Sequence, residues 1–168
     1  MKKLCLVLSL FLLAACGSNG GSVACKDAVE AAYATVLEEN KVAVMEMDKD
    51  TVIFYFDLDE TKVKDAYGIG PMMSAHVDMI VAVETGSEAD AAIVKDAMEV
   101  YQENLENDHF QYPANLAAIS EAEIFTIGNN VYYVRLNTFT SDNLSDEEKA
   151  EVIEEINNKA EDAIKDLH

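Results

Sequence analysis

Apolar and polar positions repeat with two different periods along this chain, and the change of period predicts where helices and strands lie. Three segments have the 3.6-residue period of an amphipathic helix, namely residues 26–39, 88–109 and 145–167. Ser87 is placed to cap the second segment, and Ser145 with Glu148 has the spacing of a capping box at the start of the third. These segments are therefore predicted to be helices that pack through one face.

Other segments have the composition of β-strands. Residues 52–56 form a continuous run of β-branched and aromatic side chains, which favours a buried strand. A short helical turn over residues 60–66 is predicted to end at Gly68, because glycine readily takes the left-handed conformation of a helix cap. Residues 77–83 alternate in the manner of a strand that is mostly buried.

The most secure strand pairing is a hairpin formed by residues 124–127 and 131–137. Gly128, Asn129 and Asn130 separate the two strands and accept the positive φ angles of a tight turn. The order helix, strand, long helix, hairpin, helix predicts an α+β domain over residues 26–168. Its sheet is expected to be small and mainly antiparallel, with helices packed on one face.

The start of the chain has the features of a secretory signal. Lys2 and Lys3 precede an apolar run, and Leu13-Ala14-Ala15-Cys16 resembles the bacterial lipobox, in which the cysteine sulfur receives a diacylglycerol before cleavage. Residues 1–15 are therefore predicted to be a lipoprotein signal peptide and Cys16 the lipidated residue. Residues 16–25 then form a flexible tether, and the protein is expected at the extracytoplasmic face of the cell membrane.

Composition narrows the classes of partner. The chain carries a net charge of −20, with 12 basic residues against 32 acidic ones, and Arg135 is its only arginine. This balance argues against nucleic acid, which requires clustered basic side chains. Once Cys5 and Cys16 are assigned to the signal and the anchor, Cys25 has no partner within the chain, so no intramolecular disulfide is predicted. Cys25 could pair between chains, but a lone cysteine just before a helix is more often a packing residue.

A series of features follows in order along residues 67–136. They are Tyr67-Gly68-Ile69, the strand at 79–83, the helix from Ala91 through Tyr101-Gln102, the Tyr112-Pro113 turn, and Ala122-Glu123-Ile124 running into Gly128 and Tyr132-Tyr133-Val134. Through their order and spacing, residues 67–136 resemble an uncharacterised domain family found in lipoproteins of Gram-positive gut bacteria. The resemblance implies a lipoprotein context, and it implies no activity, cofactor or catalytic residue.

An enzymatic alternative rests on the acids that follow residues 52–56. A buried strand leading into Asp57-Leu58-Asp59-Glu60-Thr61 resembles the first motif of Mg²⁺-dependent haloacid-dehalogenase-type acid phosphatases. By that resemblance Asp57 would be the nucleophile and Asp59 the acid/base. The antiparallel hairpin weighs against this reading, since that fold requires a parallel sheet.

The leading prediction is a non-enzymatic, membrane-anchored domain that binds a ligand or a protein partner. Alternation along the last strand places Tyr133 and Arg135 on one side, where they are expected to face solvent and are the first candidates for a binding surface. The three histidines are scattered and no calcium-loop spacing occurs, so no metal and no cofactor is predicted.

Overall fold

The computed structural model describes residues 23–137 and 144–168, so the predicted signal peptide and Cys16 lie outside the described part. The helices are α1 (Cys25–Ala34), α2 (Lys49–Phe56), α3 (Glu88–Glu106), α4 (Leu116–Ser120) and α5 (Asp146–Lys165). The strands are β1 (Val44–Met47), β2 (Val63–Pro71), β3 (Met79–Thr85), β4 (Glu123–Ile127) and β5 (Asn130–Arg135). Three short 3₁₀ turns connect them, at Glu38–Asn40, Glu60–Lys62 and Pro113–Asn115.

The described strands form one antiparallel sheet in the order β1-β2-β3-β5-β4. Strand β3 lies at its centre and pairs with β5 from Met79 opposite Arg135 to Glu84 opposite Asn130. The β4–β5 hairpin turns at Gly128, whose φ is +58°. The predicted α+β class, the antiparallel sheet and the hairpin are thereby confirmed.

Helices cover both faces of the sheet, so the prediction that they cover one face is wrong. Val81 and Val83 of β3 pack in one cluster with side chains of α2 and α3, whereas Ile80 and Ala82 pack with α1 and α5. The physical reason lies in the central strands: β3 and β5 carry buried side chains at successive positions, so each face is apolar and each needs a cover.

Residues 52–56 are helical, so the strand predicted there is also wrong. The side chain of Asp48 caps α2 by accepting a hydrogen bond from the backbone N–H of Thr51, at 2.9 Å. At the other end Asp57 takes the left-handed conformation, with φ 51°, and stops the helix. Val52 and Phe56, four residues apart, are the buried side chains of this helix. Capping and burial on one helical stripe override the strand preference of the individual residues.

The segment that follows is extended. Its predicted helical turn is restricted to the 3₁₀ turn Glu60–Lys62, and β2 begins at Val63. Gly68 is therefore a strand residue and not a helix cap. A Cβ atom at this position would lie 2.8 Å from Val81 Cγ2 and 2.9 Å from Met47 Cε. Glycine is required here because the neighbouring strands leave no room for a side chain.

The predicted helix caps are present. The side chain of Ser87 accepts from the N–H of Asp90 at the start of α3, and Ser145 with Glu148 forms the capping box of α5. Helix α1 ends at Ala34, five residues before the predicted end, and α3 ends at Glu106. Both helices thus end before the apolar patterns that predicted them.

Candidate functional site

A cleft of about 740 Å³ opens at the end of the sheet where β3 begins and β5 ends. Its walls come from the loop before β3, from the Pro113–Asn115 turn with α4, and from the first turns of α5. The lining side chains are mostly small or apolar, including Ala75, Pro113, Ala114, Leu116, Ala117, Ala150 and Ile153. A cleft of this volume with mainly apolar walls has the dimensions of a small-molecule site.

Two buried asparagines hold the floor of this cleft together. The side-chain amide of Asn137 donates to Ala114 O at 3.2 Å and to Asn115 Oδ1 at 3.1 Å. Asn115 in turn donates to Ala75 O at 3.1 Å. Because these bonds join three separate segments, the floor is a fixed surface whose amide N–H groups are already used.

The cleft and the start of the described chain lie at opposite ends of the sheet. Cys25, the first residue of α1, lies against the backbone of Glu84 near the end of β3. His76 and Asn137, which line the cleft, flank the start of β3 and the end of β5. The described chain therefore enters α1 at the end of the sheet remote from the cleft.

Tyr133 and Arg135 are buried, so the expectation that they face solvent is wrong. Tyr133 is 0% exposed and Arg135 is 2% exposed. They do share one side of β5, as alternation predicted, but α2 and α3 cover that side. A ligand that binds to these two residues would therefore have to reach buried side chains.

These two residues belong to a polar network inside an aromatic cluster. The Tyr133 hydroxyl donates to Gln102 Oε1 at 2.6 Å and accepts from Arg135 Nη1 at 2.6 Å, while Arg135 Nε donates to Val77 O at 2.7 Å. The guanidinium carbon lies 5.3 Å from the centroid of the Tyr133 ring and 5.9 Å from that of Tyr101. Burial raises the pKa of Tyr133, so its hydroxyl stays protonated.

Asp78, just before β3, carries the one buried side-chain atom without a hydrogen bond among the described residues. Its Oδ1 accepts from the N–H of Asn137 at 3.0 Å, whereas its Oδ2 has no partner there. Burial raises the pKa of this carboxyl group, and the Asn137 N–H and the charges of His76 and Arg135 oppose that rise. This end of the sheet thus holds a buried carboxyl group and a buried guanidinium group.

The structure does not provide the arrangement that the phosphatase alternative requires. Asp57 follows a helix and not a strand, and the sheet that it would need to be parallel is antiparallel. The Asp59 carboxylate accepts from the N–H of Thr61 at 2.9 Å and from its hydroxyl at 2.7 Å, and these bonds lower its pKa. Asp59 is therefore a turn-capping residue, and the motif resemblance is local only.

Neither a metal cluster nor a membrane-spanning helix is found among the described residues. No group of three or more His, Cys, Asp or Glu side chains in residues 23–137 and 144–168 is arranged to hold a metal ion. None of the helices in that part is long and apolar enough to cross a bilayer.

Sequence reasoning missed the cleft. Its lining residues run from Ala75 to Ile153, and most are alanines or other small residues with no functional signature. The one local signal was the Tyr112-Pro113 turn, which the sequence identified as a break after the long helix. Nothing in the spacing of that turn indicates that it faces the start of α5.

Comparison with known proteins gives a family and no activity. Residues 37–136, more than half of the chain, match the family model described as Domain of unknown function (DUF4358). The match ends where the sequence resemblance ended and begins thirty residues earlier. No curated protein and no solved structure is significantly similar to the chain. The prediction of an uncharacterised domain family is confirmed in this coarse form.

Proposed function

We propose that this chain, which belongs to the DUF4358 family, is a lipid-anchored extracytoplasmic protein that binds a small, largely apolar ligand in the cleft at the sheet end. The observation that carries the proposal is the cleft itself, about 740 Å³ in volume with mainly apolar walls. Sites that bind small molecules are commonly concave, pre-formed and few per protein. The proposed binding site is the cleft, whose walls come from three separate segments of the chain.

The proposed address rests on the first residues of the chain. Leu13-Ala14-Ala15-Cys16 fits the lipobox, and Gly17 to Ser22 has the composition of a flexible linker. Two acyl chains on one residue anchor a protein stably, whereas a single chain binds reversibly. A lipid on Cys16 would hold the domain beside the outer surface of the cell membrane.

The direction of the cleft supports the combination of anchor and binding. The tether would enter the domain at Cys25, beside the end of β3, and the cleft lies at the other end of the sheet. A linker of eight residues reaches on the order of 15 Å. The cleft is thus on the part of the domain that such a linker leaves farthest from the anchor, where a soluble ligand has access.

The chemistry of the walls defines the class of ligand. The floor amides of Asn115 and Asn137 are engaged with each other, so affinity would come mainly from burying apolar surface. Lys149 and Asp146 at the mouth form a loose ion pair, 3.9 Å apart, and offer polar contacts at the edge. An apolar body with a polar end fits this arrangement.

A cleft-filling variant tests the binding proposal. We expect Nile red, a neutral apolar fluorophore, to bind residues 17–168 saturably with increased fluorescence. Ala150 lines the cleft, so Ala150→Phe should weaken that binding by about tenfold or more because it occupies the space. Ala92, exposed on α3 and away from the cleft, supplies the matched control Ala92→Phe. Equal binding by Ala150→Phe and the unmodified fragment would contradict the assignment of the cleft.

The anchor is tested separately in the full-length chain. We expect the protein to sediment with membranes and to yield an N-terminal peptide carrying diacylglycerol on Cys16. Cys16→Ser should abolish both the modification and the membrane fraction, whereas Cys25→Ser should leave both unchanged. Unaltered membrane association of Cys16→Ser would refute the proposed address without affecting the result on the cleft.

A further inference from the structure

We propose a second binding site, in which Arg135 receives an oxyanion group, a carboxylate or a phosphate, from a ligand or partner. This inference goes beyond the cleft, because Arg135 does not line it. It rests on the hydrogen-bonding state of one buried guanidinium group and on the side chains that surround it.

Most of the donors on this group are unused. A guanidinium has five N–H groups and no acceptor. In Arg135, one N–H on Nε is bonded to Val77 O and one on Nη1 to the Tyr133 hydroxyl. The other three N–H groups, two of them on Nη2, make no hydrogen bond to any described residue. Asp78 Oδ2 is the one fully buried side-chain atom of the described residues that lacks a partner, so Nη2 of Arg135 touches solvent at the edge of the network, where its N–H groups can meet a ligand.

The charge is also uncompensated by direct contact. No carboxylate oxygen of the described residues lies within 4.0 Å of the guanidinium nitrogens, although the chain has many more acids than bases. Asp78 acts on Arg135 only at longer range, and the Asp78 oxygen without a partner is not bonded to it. The rings of Tyr101 and Tyr133 provide part of the missing stabilisation through cation–π contact. A buried charge normally has a counter-ion as well.

An oxyanion supplies both things that the group lacks. Carboxylate and phosphate oxygens accept two parallel N–H bonds from a guanidinium and neutralise its charge. Gln102 next to it is satisfied, since its Oε1 accepts from Tyr133 and its Nε2 donates to Glu106 Oε1 and to the backbone oxygen of Ile119. The network therefore fixes the orientation of the guanidinium and leaves its outer N–H groups for a ligand.

An oxyanion would reach Arg135 when side chains rotate, without a change in the backbone. Tyr55, on α2, is 44% exposed, and its ring lies 5.8 Å from that of Tyr101. The Tyr101 ring also lies 5.9 Å from the guanidinium carbon of Arg135, so Tyr101 separates Tyr55 from Arg135. Rotation of an exposed tyrosine is rapid, on the order of nanoseconds or faster. The Tyr55 and Tyr101 rings would then flank the bound oxyanion.

The acidity of the protein sets the experimental conditions. A net charge of −20 repels anions at long range, but that field is screened beyond about 8 Å at physiological ionic strength. The interaction with Arg135 is short-ranged and lies in a site largely removed from water, where screening is weak. Binding is therefore expected at constant ionic strength near 0.15 M and is tested there.

The only arginine in the chain gives a direct readout, because its Nε–Hε group is the sole signal of its kind in a ¹⁵N spectrum. We expect titration of residues 17–168 with sodium acetate or sodium phosphate, with ionic strength kept constant by chloride, to shift this signal to saturation. The anion that saturates at the lower concentration distinguishes a carboxylate ligand from a phosphate ligand. A signal that neither anion moves would overturn the proposal, as would an equal response to chloride alone.

Variants separate the guanidinium fork from general charge. Arg135→Lys keeps the charge but lacks the planar fork. We expect this variant to need an anion concentration about tenfold higher for the same rise in melting temperature. Lys159→Gln removes one positive charge from an exposed position of α5 outside the cleft and should leave that rise intact. A loss of the rise in Lys159→Gln equal to that in Arg135→Lys would reduce the effect to net charge and contradict the site. If Arg135→Lys does not fold, the titration of the unmodified fragment decides the question.

Discussion

Tyr132 and Tyr133 are neighbours on β5, yet they lie on opposite faces of the sheet and their surroundings differ. The Tyr132 ring stacks on Phe125, and its hydroxyl bonds to His168 Nε2 at 2.7 Å. The Tyr133 ring lies among Phe56 and Tyr101, and its hydroxyl links Arg135 to Gln102. Both side chains are essentially unexposed, at 1% and 0%.

The two faces of the sheet therefore differ in what their buried side chains do. The α1/α5 face is packed chiefly by apolar side chains such as Val29, Ile80 and Ile164. The α2/α3 face has an apolar centre and, at its edge, a buried cation in a polar network. A buried network contributes less to stability than to the choice of one arrangement. The α2/α3 face is therefore where we place specificity.

The largest expected effect is on the free energy of unfolding, and it tests whether both faces of the sheet belong to the core. Ile164 on α5 and Met98 on α3 are each 0% exposed. We expect Ile164→Ala and Met98→Ala each to lower the free energy of unfolding by about 2–5 kcal/mol, measured by urea denaturation. Ile93→Ala, at an exposed position of α3, should change it by less than about 0.5 kcal/mol. A negligible effect of either buried variant would show that one face is not part of the core.

A smaller effect separates the two tyrosines. Tyr133→Phe leaves Gln102 Oε1 and an N–H of Arg135 without their partner in a buried place, and we expect a loss of about 1–3 kcal/mol. Tyr132→Phe removes a bond to His168, an exposed residue that water can satisfy, and should cost less than about 1 kcal/mol. Equal losses on the two faces would contradict the difference in role. Chemical denaturation of both variants at one pH is the measurement.

The pH dependence of stability sharpens the comparison at Asp78. Its pKa is raised above the ordinary value of 3.8 by burial, so the folded state holds the proton more tightly than the unfolded state. The stability from protonated Asp78 is present below pH 3.8 and is lost as pH rises through the folded pKa. We expect Asp78→Asn to gain stability relative to the unmodified protein over that window, by at most about 1.4 kcal/mol per pH unit.

The control for Asp78 has the opposite sign. Hydrogen bonds from Thr61 lower the pKa of Asp59, so its contribution is present above pH 3.8 and is lost as the pH falls. Asp59→Asn should therefore lose stability relative to the unmodified protein as the pH rises through this range. Parallel urea titrations between pH 3 and pH 8 are the measurement. A common direction for the two variants would show that general charge, and not burial of Asp78, controls the profile.

The smallest expected effect concerns the end of α2. Asp57 has a φ of 51°, which costs a residue with a side chain more than it costs glycine. We expect Asp57→Gly to raise the free energy of unfolding by up to about 1 kcal/mol, and Asp57→Val to lower it by about 1–2 kcal/mol. The urea midpoints of the two variants give this order. The reverse order of the two midpoints would contradict the left-handed conformation of Asp57.

The features predicted correctly from the sequence depend on neighbouring residues. Ser87 and Ser145 lie within three residues of the N–H groups that they cap, and Gly128 lies within the hairpin that it turns. Interactions of this range are encoded in a few consecutive positions. The class of the fold then followed from the order of such elements.

The features predicted wrongly depend on distant residues. The run 52–56 has strand composition, but Phe56 packs against Tyr101 and Tyr133, which lie far away along the chain, and this packing favours the helix. Alternation grouped Tyr133 with Arg135 correctly, yet nothing in β5 itself shows that α2 and α3 cover that side. For the same reason the cleft was not predicted, since its walls are far apart along the chain.

The buried thiol of Cys25 can report how often α1 opens away from the sheet. Its thiol is 2% exposed, and burial raises its pKa to about 12, so very little thiolate exists at neutral pH while α1 is packed. In residues 17–168 it is the only cysteine. The rate at which an alkylating reagent modifies this fragment therefore measures how often the first helix detaches from the sheet, without any engineered label.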